Sequence, residues 1–410
     1  MRRSPRRKVR IGDGTVRSIL SRWAASFFLS GLQVQPAPVA GTIVQCIGMV
    51  KGGRKVASRT PTPYFLVRAI IYLTNQTPFS SIGLVRDAMK RPKTLQQAII
   101  HFAEPGNCIA YMIRLRWPNG AECPTCGRKD PVFLANQNKW QCKSVHHHRQ
   151  FSVKVGTIFE DSPIGLDKWL VAIWMLSNCK NGVSSYEVGR SIGVTQKTAW
   201  FMLHRIRLAM QNRSLLKLGG RGSEVEVDET FIGGAARFMH RDKHRRRITE
   251  TGTKDKQPVV GVLERGGEVR ATMVPSRRKH LVQGHIREHV KTGGAIYTDA
   301  LRSYTGLEHQ GYEHKVIDHA ERYVDGRVHT NGLENFWSLL KRGLKGTYVS
   351  VEPFHLFRYL DEQVLRYNLR KKPMDDFARF NHVVSHVLGK RLTYAEVTGK
   401  VGTAATEMPN

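Results

Sequence analysis

In the second half of the chain, period-two alternation and short apolar runs mark four strands, at residues 225–227, 258–263, 269–274 and 295–297. Helical spacing marks residues 281–290 between the last two strands, and a further helix running through Glu334, Phe336 and Trp337. Three antiparallel-type strands, a helical crossover, a parallel-type strand and a closing helix predict an α/β fold with a mixed sheet and flanking helices. The first half follows a different rhythm. Leu166, Trp169, Leu170, Ile173, Trp174 and Leu176 recur at helical spacing. Beyond them Ser184 or Ser185 caps a helix over 186–192, Gly193 supplies a turn, and Thr195 caps a second helix from Gln196, a helix-turn-helix-like punctuation. After the sheet, 354–368 reads as an Arg-rich amphipathic helix that packs on it, and Phe377, Phe380, Val383, Val384 and Val387 repeat at helical spacing ahead of a polar tail.

These shifts divide the chain at 1–88, 89–155, 156–218, 219–372 and 373–410, with Gly219-Gly220-Arg221-Gly222 as the hinge into the sheet region. Residues 1–88 hold 14 Lys plus Arg against two acidic residues, Asp13 and Asp87, and show no sustained period. They are expected to be a basic extension outside the functional fold; a transit peptide and a basic DNA-binding arm are the competing readings. The stretch 240–256, dense in His, Lys and Arg, reads as a loop, either solvated or a flap against phosphates. Residues 373–410 are expected to be a C-terminal tail.

Composition narrows the partner. Lys and Arg number 65 against 33 Asp plus Glu, a formal charge of +32 and a pI near 10.3. Such a balance favours nucleic acid through counterion release and steering, and it would also suit a ribosomal or other RNA-binding protein. With 410 residues, 40% of them hydrophobic, the chain can bury at least two cores, which excludes a purely disordered basic protein. No apolar run has the length of a membrane span; the best, 64–73, is short and contains Arg68.

Six cysteines are too few and too scattered for a disulfide scaffold. Cys123-Pro124-Thr125-Cys126-Gly127 is a knuckle, and Cys142 follows Cys126 by 16 residues. A fourth ligand from His146, His147 or His148 would complete a tetrahedral Zn²⁺ site, with Val145 standing where many ribbons carry Cys. A structural zinc implies a reducing compartment.

Three acidic residues stand where a metal-dependent nuclease needs them. Asp228 closes the alternating run from Glu224, Asp299 follows Ala295-Ile296-Tyr297, and Glu334 lies 35 residues later on a helix that also carries Lys341. Two strand-end carboxylates and one helix carboxylate can hold a pair of Mg²⁺ (or Mn²⁺) ions about 3.5–4 Å apart, a clamp for in-line phosphoryl displacement. Glu226 and Glu229 flank Asp228 as decoys; alternation puts Glu226 on the same face as Asp228. His329 is placed either to orient a phosphate or to cap the helix, and Phe336 and Trp337 read as core.

The phrases VDETFIGG (227–234), YTDALRSY (297–304), HTNGLENFWSLLKRGLKGTY (329–348) and RYN (366–368) fall in an order and spacing that resemble DDE-type insertion-sequence transposases. The resemblance is to the group with a zinc ribbon ahead of an ISXO2-like, RNase H-like catalytic domain, and it covers about residues 89–400. It implies DNA cleavage and strand transfer at the element's terminal inverted repeats and into target DNA, with two Mg²⁺ per active site and one structural Zn²⁺. It further implies Lys341 as a phosphate contact, Asn331 as an oxygen ligand beside or instead of Glu334, and His146, with His147 second, as the fourth zinc ligand. Gln196, Lys197 and Arg205 on the second helix of the helical pair are the expected DNA contacts, and the helix over 354–368 would add a basic face to the DNA channel. Pairing of two ends implies at least a homodimer, and the implied location is the cytoplasm, on the nucleoid. Two other classes share parts of this pattern: a zinc-ribbon transcription regulator, which would not need the acidic triad, and an RNase H-like nuclease that cuts without joining.

Overall fold

Helix-start chemistry organises the first half of the protein. In the computed structural model, which describes residues 91–400 apart from 212–213, 215, 234–239, 248–255, 318–328 and 371, Thr94 opens α1 (Leu95–Phe102) by accepting the Gln97 N–H. The expected basic extension 1–88 lies outside the described residues. Pro105 sits in the first turn of α2 (Pro105–Arg116), where its missing N–H costs nothing. Three short antiparallel strands follow: β1 (Val132–Leu134), β2 (Lys139–Gln141) and β3 (Gln150–Phe151). Then come α3 (Leu166–Asn178), α4 (Ser185–Ile192) and α5 (Gln196–Met210). Ser184 is the cap of α4, Gly193 ends that helix at φ +65°, and Thr195 caps α5. The helix-turn-helix punctuation therefore holds. Phe102, Met112, Trp140, Phe151, Trp169, Trp174 and Leu203 share one core, so the boundary expected at 155 divides segments and not cores.

The second half is a five-stranded sheet. Its elements are β4 (Glu224–Ile232), the short α6 (Arg241–Arg247), β5 (Gln257–Glu264), β6 (Val269–Met273), α7 (Lys279–His289), β7 (Ala295–Asp299) and β8 (Glu313–Ile317). The order is β6-β5-β4-β7-β8, antiparallel through β4 and parallel from β4 to β8. The four expected strands and the crossover helix are present. The fifth strand, β8, had no alternation to announce it: it is an edge strand in which only Ile317 is buried.

Alternation assigns the two faces of the sheet. Val225, Val227, Val260 and Val262 pack with Val282 and Ile286 of α7. Val259, Leu263 and Val269 pack on the other side against Leu333, Phe336 and Trp337 of α8 (Asn331–Gly343) and Leu360 of α9 (Leu356–Leu369).

Two segments depart from their expected roles. The basic residues of α9 turn inward: Glu362, 1% exposed, is held by Arg207 at 2.7 Å and by Arg366 at 2.5 Å, and Arg358 lies 3.6 Å from Asp361. A buried carboxylate needs such partners, so these cations are occupied by the interior. The expected tail also folds, as α10 (Asp376–Ser385) and α11 (Tyr394–Val397). Phe380, Val383 and Val384 belong to the core of the helical half, with the Phe380 ring 5.3 Å from Trp174 and 5.6 Å from Phe102. Among the described residues, no helix is long and apolar enough to cross a membrane.

Candidate active site and zinc ribbon

Strand register brings the first two acidic residues together. Glu224, Val225 and Glu226 of β4 pair in parallel with Ala295, Ile296 and Tyr297 of β7, and continuing that register sets Asp228 opposite Asp299. Asp299 closes β7, but Asp228, expected at a strand end, lies in the middle of β4, which runs on to Ile232 against β5. Ligand-type oxygens of Asp228, Glu229 and Asp299 lie within 4.8 Å of one another. Burial, followed by the charges of Glu229 and Asp299, pushes the Asp228 carboxyl up to about 7, against hydrogen bonds from Trp337 and the Glu229 N–H. Burial also raises Glu229, which accepts from the Tyr304 hydroxyl and faces Arg277 at 3.5 Å. Glu229, read as a decoy from the sequence, thus joins the cluster from the α7 side, where Tyr304 is buried.

The α8 side is built by Glu226 and Trp337. Glu226 is 1% exposed; it accepts the Leu333 N–H at 3.0 Å and the Arg265 Nε at 2.8 Å. A carboxylate at a helix N-terminus meets unpaired N–H groups and the favourable end of the helix dipole, so Glu226 pins the start of α8 to the sheet. His329 belongs to the same clamp, with its Nδ1 2.9 Å from Arg265 Nη2. One turn after Leu333, Trp337 Nε1 donates to Asp228 Oδ2 at 3.0 Å. Gly261, opposite Asp228 in β5, makes room for this: a Cβ there would stand 2.6 Å from the Trp337 ring and 2.9 Å from Leu333. An isolated glycine in an apolar strand was the available sequence signal.

Glu334 lies one turn before Trp337 on α8, exposed, its Oε1 3.5 Å from Thr330 Oγ1, and is not part of the 4.8 Å group. Asn331 is the exposed first residue of α8. Lys341 is half-buried; burial lowers its ammonium and the Asp228 charge opposes that, which sets it on the Asp228 side of the helix.

The second cluster is in the ribbon. Cys123, Cys126, Cys142 and His146 gather their ligand atoms within 4.8 Å, with His146 Nε2 3.4 Å from Cys123 Sγ and the Cys126 and Cys142 sulfurs 3.5 Å apart. His146 Nδ1 lies 2.6 Å from the His147 carbonyl, which leaves Nε2 free to meet a metal. Burial raises the Cys123 thiol, but the backbone N–H groups of Cys126 and Thr125 and the side chains of Cys126 and Cys142 outweigh it and bring the group to about 6, toward the thiolate a metal requires. His147 and His148 stand outside this group.

The expected DNA contacts separate. Lys197 is exposed at the start of α5; Gln196 is half-buried and donates to Ser185 Oγ at 2.9 Å. Arg205 does not face outward. It is 4% exposed and donates to the carbonyls of Leu392 and Glu160, both at 2.8 Å, so its guanidinium ties the C-terminal segment to α5.

Residues 217–368 match the ISXO2-like transposase domain and residues 106–148 the transposase zinc-ribbon domain. An uncharacterized protein in transposable element ISH50 of Halobacterium salinarum is 26% identical over 275 residues, 64% of this chain and 90% of that one. An uncharacterized transposase-like protein of Haemophilus influenzae is 32% identical over 101 residues, 25% of this chain and 81% of that one. Among solved structures, a chain of the simian T-cell lymphotropic virus intasome in complex with PP2A regulatory subunit B56 gamma aligns at 15% identity, covering 46% of this chain and 66% of that chain at a TM-score of 0.22, and carries no weight for the fold. With both domain matches in the order the fold presents them, and relatives covered over most of their length, the chain belongs to the insertion-sequence transposases that carry a zinc ribbon and an ISXO2-like transposase domain.

Proposed function

We propose that this transposase cuts DNA at the terminal repeats of its insertion sequence and joins the freed 3′-ends to target DNA, with Asp228, Asp299 and Glu334 as the metal-holding carboxylates. The supporting observation is the crowding of Asp228, Glu229 and Asp299 within 4.8 Å, with Asp228 raised to about 7 by burial and by its acidic neighbours. Carboxylates forced together in a partly buried site repel one another until cations join them, and an all-oxygen donor set suits Mg²⁺ or Mn²⁺. Bound there, a pair of such ions would neutralise phosphate charge and acidify the attacking hydroxyl.

The chain's own residues do the rest. Trp337 orients Asp228, the Glu226–Leu333 clamp fixes the helix that carries Glu334, Asn331 and Lys341, and Lys341 meets the phosphate. In the first displacement a water oxygen bonds to phosphorus and the 3′-oxygen of the element end leaves as a hydroxyl. In the second, that hydroxyl oxygen bonds to a target phosphorus and a target 3′-oxygen leaves. The ribbon, holding one structural Zn²⁺ on Cys123, Cys126, Cys142 and His146, and the α4–α5 pair, with Lys197 and Gln196 at the start of α5, grip the element's ends as double-stranded DNA. Holding two ends at once calls for at least two copies of the chain, working on cytoplasmic DNA.

The test is strand transfer in vitro with the full chain, Mg²⁺ and a labelled duplex of the DNA flanking the gene, run beside Asp228→Asn, Glu334→Gln and Glu229→Gln. Joined products from the parent, absent with Asp228→Asn and Glu334→Gln, support the reading. Loss with Glu229→Gln and retention with Glu334→Gln would move the third ligand to Glu229. Cleavage without joining would favour a nuclease, and binding with neither reaction a regulator.

A further inference from the structure

The last turn of α7 carries His285-Ile286-Arg287-Glu288-His289, and the side chains of His285, Glu288 and His289 bring their ligand-type atoms within 4.8 Å of one another. Spacings of three and four residues put these positions side by side on a helix. His285 is 6% exposed, and its Nε2 is buried without a hydrogen-bond partner. A buried polar atom left unmatched carries its whole desolvation cost, so this nitrogen calls for an explanation. The His289 ring lies edge-on to it with centroids 4.3 Å apart. Burial, then the charges of His289 and Arg270, disfavours the cationic form of His285.

We propose that His285, Glu288 and His289 form a third metal site, one that takes a Zn²⁺-class ion. Two imidazoles and one carboxylate suit Zn²⁺, Co²⁺ or Ni²⁺ and not Mg²⁺. The surroundings sharpen that preference. Arg270 acts on both imidazoles and Lys217 on His289, charges that oppose any dication and that Glu288 offsets only in part, so the set favours an ion with strong affinity for nitrogen over one held by charge alone. The set therefore differs in kind from the all-carboxylate cluster at Asp228 and from the thiolate-rich ribbon.

Its place in the fold gives it a structural role. Gln283, earlier on α7, donates to the carbonyls of Ser303 and Thr305, just past Asp299. The last turn of α7 instead meets the chain just ahead of β4 and leads on to the start of β7, whose other end carries Asp299: the Leu218 N–H donates to the His289 carbonyl at 2.7 Å and Lys217 Nζ to the Arg287 carbonyl at 2.6 Å. An ion here stiffens the turn to which the chain's entry into the sheet is hydrogen-bonded, away from the reacting phosphate.

The probe is Zn²⁺ itself. Full-length protein is dialysed against buffered free Zn²⁺ with Mg²⁺ in excess, and bound zinc is measured by mass spectrometry of the metal. The parent is expected to hold about two zinc ions per chain, one of them in the ribbon. Both His289→Ala and Glu288→Gln should lose the second ion with unchanged circular dichroism, the latter at an exposed position where folding is not at stake. Cobalt loaded in a variant with Cys123, Cys126 and Cys142 all changed to Ser should still give a weak d–d band without thiolate charge transfer. About one zinc per chain in the parent, or a second zinc that persists in both variants, would overturn the assignment.

Discussion

The indole N–H of Trp337 ends on Oδ2 of Asp228, 3.0 Å away, so the closing helix touches the central strand at the acidic residue on which the site turns. Glu226, two residues earlier on the same face of β4, receives the first turn of α8 through the Leu333 N–H. Strand alternation makes this possible: positions 226 and 228 point to α8, while Val225 and Val227 fill the core under α7. Helix and sheet are thus fastened twice along one strand, and Glu334 and Lys341 ride on the fastened element.

A carboxyl raised from 3.8 to about 7 binds its proton more tightly in the folded state than in the unfolded chain. Below the unfolded value both states are protonated and nothing is lost. Between the two values the folded protein keeps a proton that the unfolded chain has released, so stability falls as pH rises and the cost is complete above about 7. Asp228→Asn should therefore stabilise the metal-free protein at about pH 8 by on the order of a few kcal/mol, with the gain shrinking toward pH 4. Chemical denaturation without Mg²⁺, and without a chelator that would strip the ribbon, measures this. A variant no more stable than the parent at the higher pH would mean that Asp228 is not strained by its neighbours.

Gly261→Ala places a methyl 2.6 Å from the Trp337 ring, on a rigid indole backed by Phe336. Overpacking of this kind costs about 1–3 kcal/mol. Because α8 is the element that must move, strand transfer should fall far more than stability. Equal, small losses in both would show that the helix repacks without displacing Asp228.

Asp299 was legible because run length fixes where β7 ends, whereas the alternation before Asp228 marked its face of β4 and not the end of the strand, which continues to Ile232. Their meeting depends on register, which the parallel pairing of Glu224 with Ala295 supplies. Glu229 was not legible: alternation sends it to the other face, and only the strand end beside Asp299 lets it join. Arg205 was misread because helix spacing cannot say that a segment 187 residues away will return to cover it. The helical spacing of Phe380, Val383 and Val384 was visible, but its destination among Phe102 and Trp174 was not, since that contact is set by long-range packing.

Lys197 and Arg205 therefore predict opposite phenotypes. Lys197→Ala, on the exposed start of α5, should leave the melting temperature unchanged while weakening affinity for an end duplex and reducing the salt slope by about one. Arg205→Ala removes two buried hydrogen bonds from a charged donor and should cost about 2–4 kcal/mol of stability, with DNA affinity per folded molecule preserved. Titrations at several salt concentrations, paired with thermal melts, separate the two, and a lost salt slope in Arg205→Ala would return that residue to the DNA face.

Removal of zinc should act on only part of the molecule. Cys123 and Cys142 are buried beside Trp117, Trp140 and Phe151, in the core that also holds α1, α3 and α10, whereas the valines of β4 and β5 belong to separate cores. Without the ion the four ligands no longer bind a common centre, and a module with three strands of three residues or fewer has little else to hold it. Chelation, or Cys142→Ser, should accelerate amide exchange across residues 117–151 and loosen the helical half, while the amides of Val227 and Val260 stay protected. Since the carboxylate cluster sits in the second half, such a protein should still bind Mg²⁺ at Asp228 and fail at gripping DNA ends. Uniform loss of protection in both halves would instead make the ribbon a keystone of the whole chain, and the two halves a single cooperative unit.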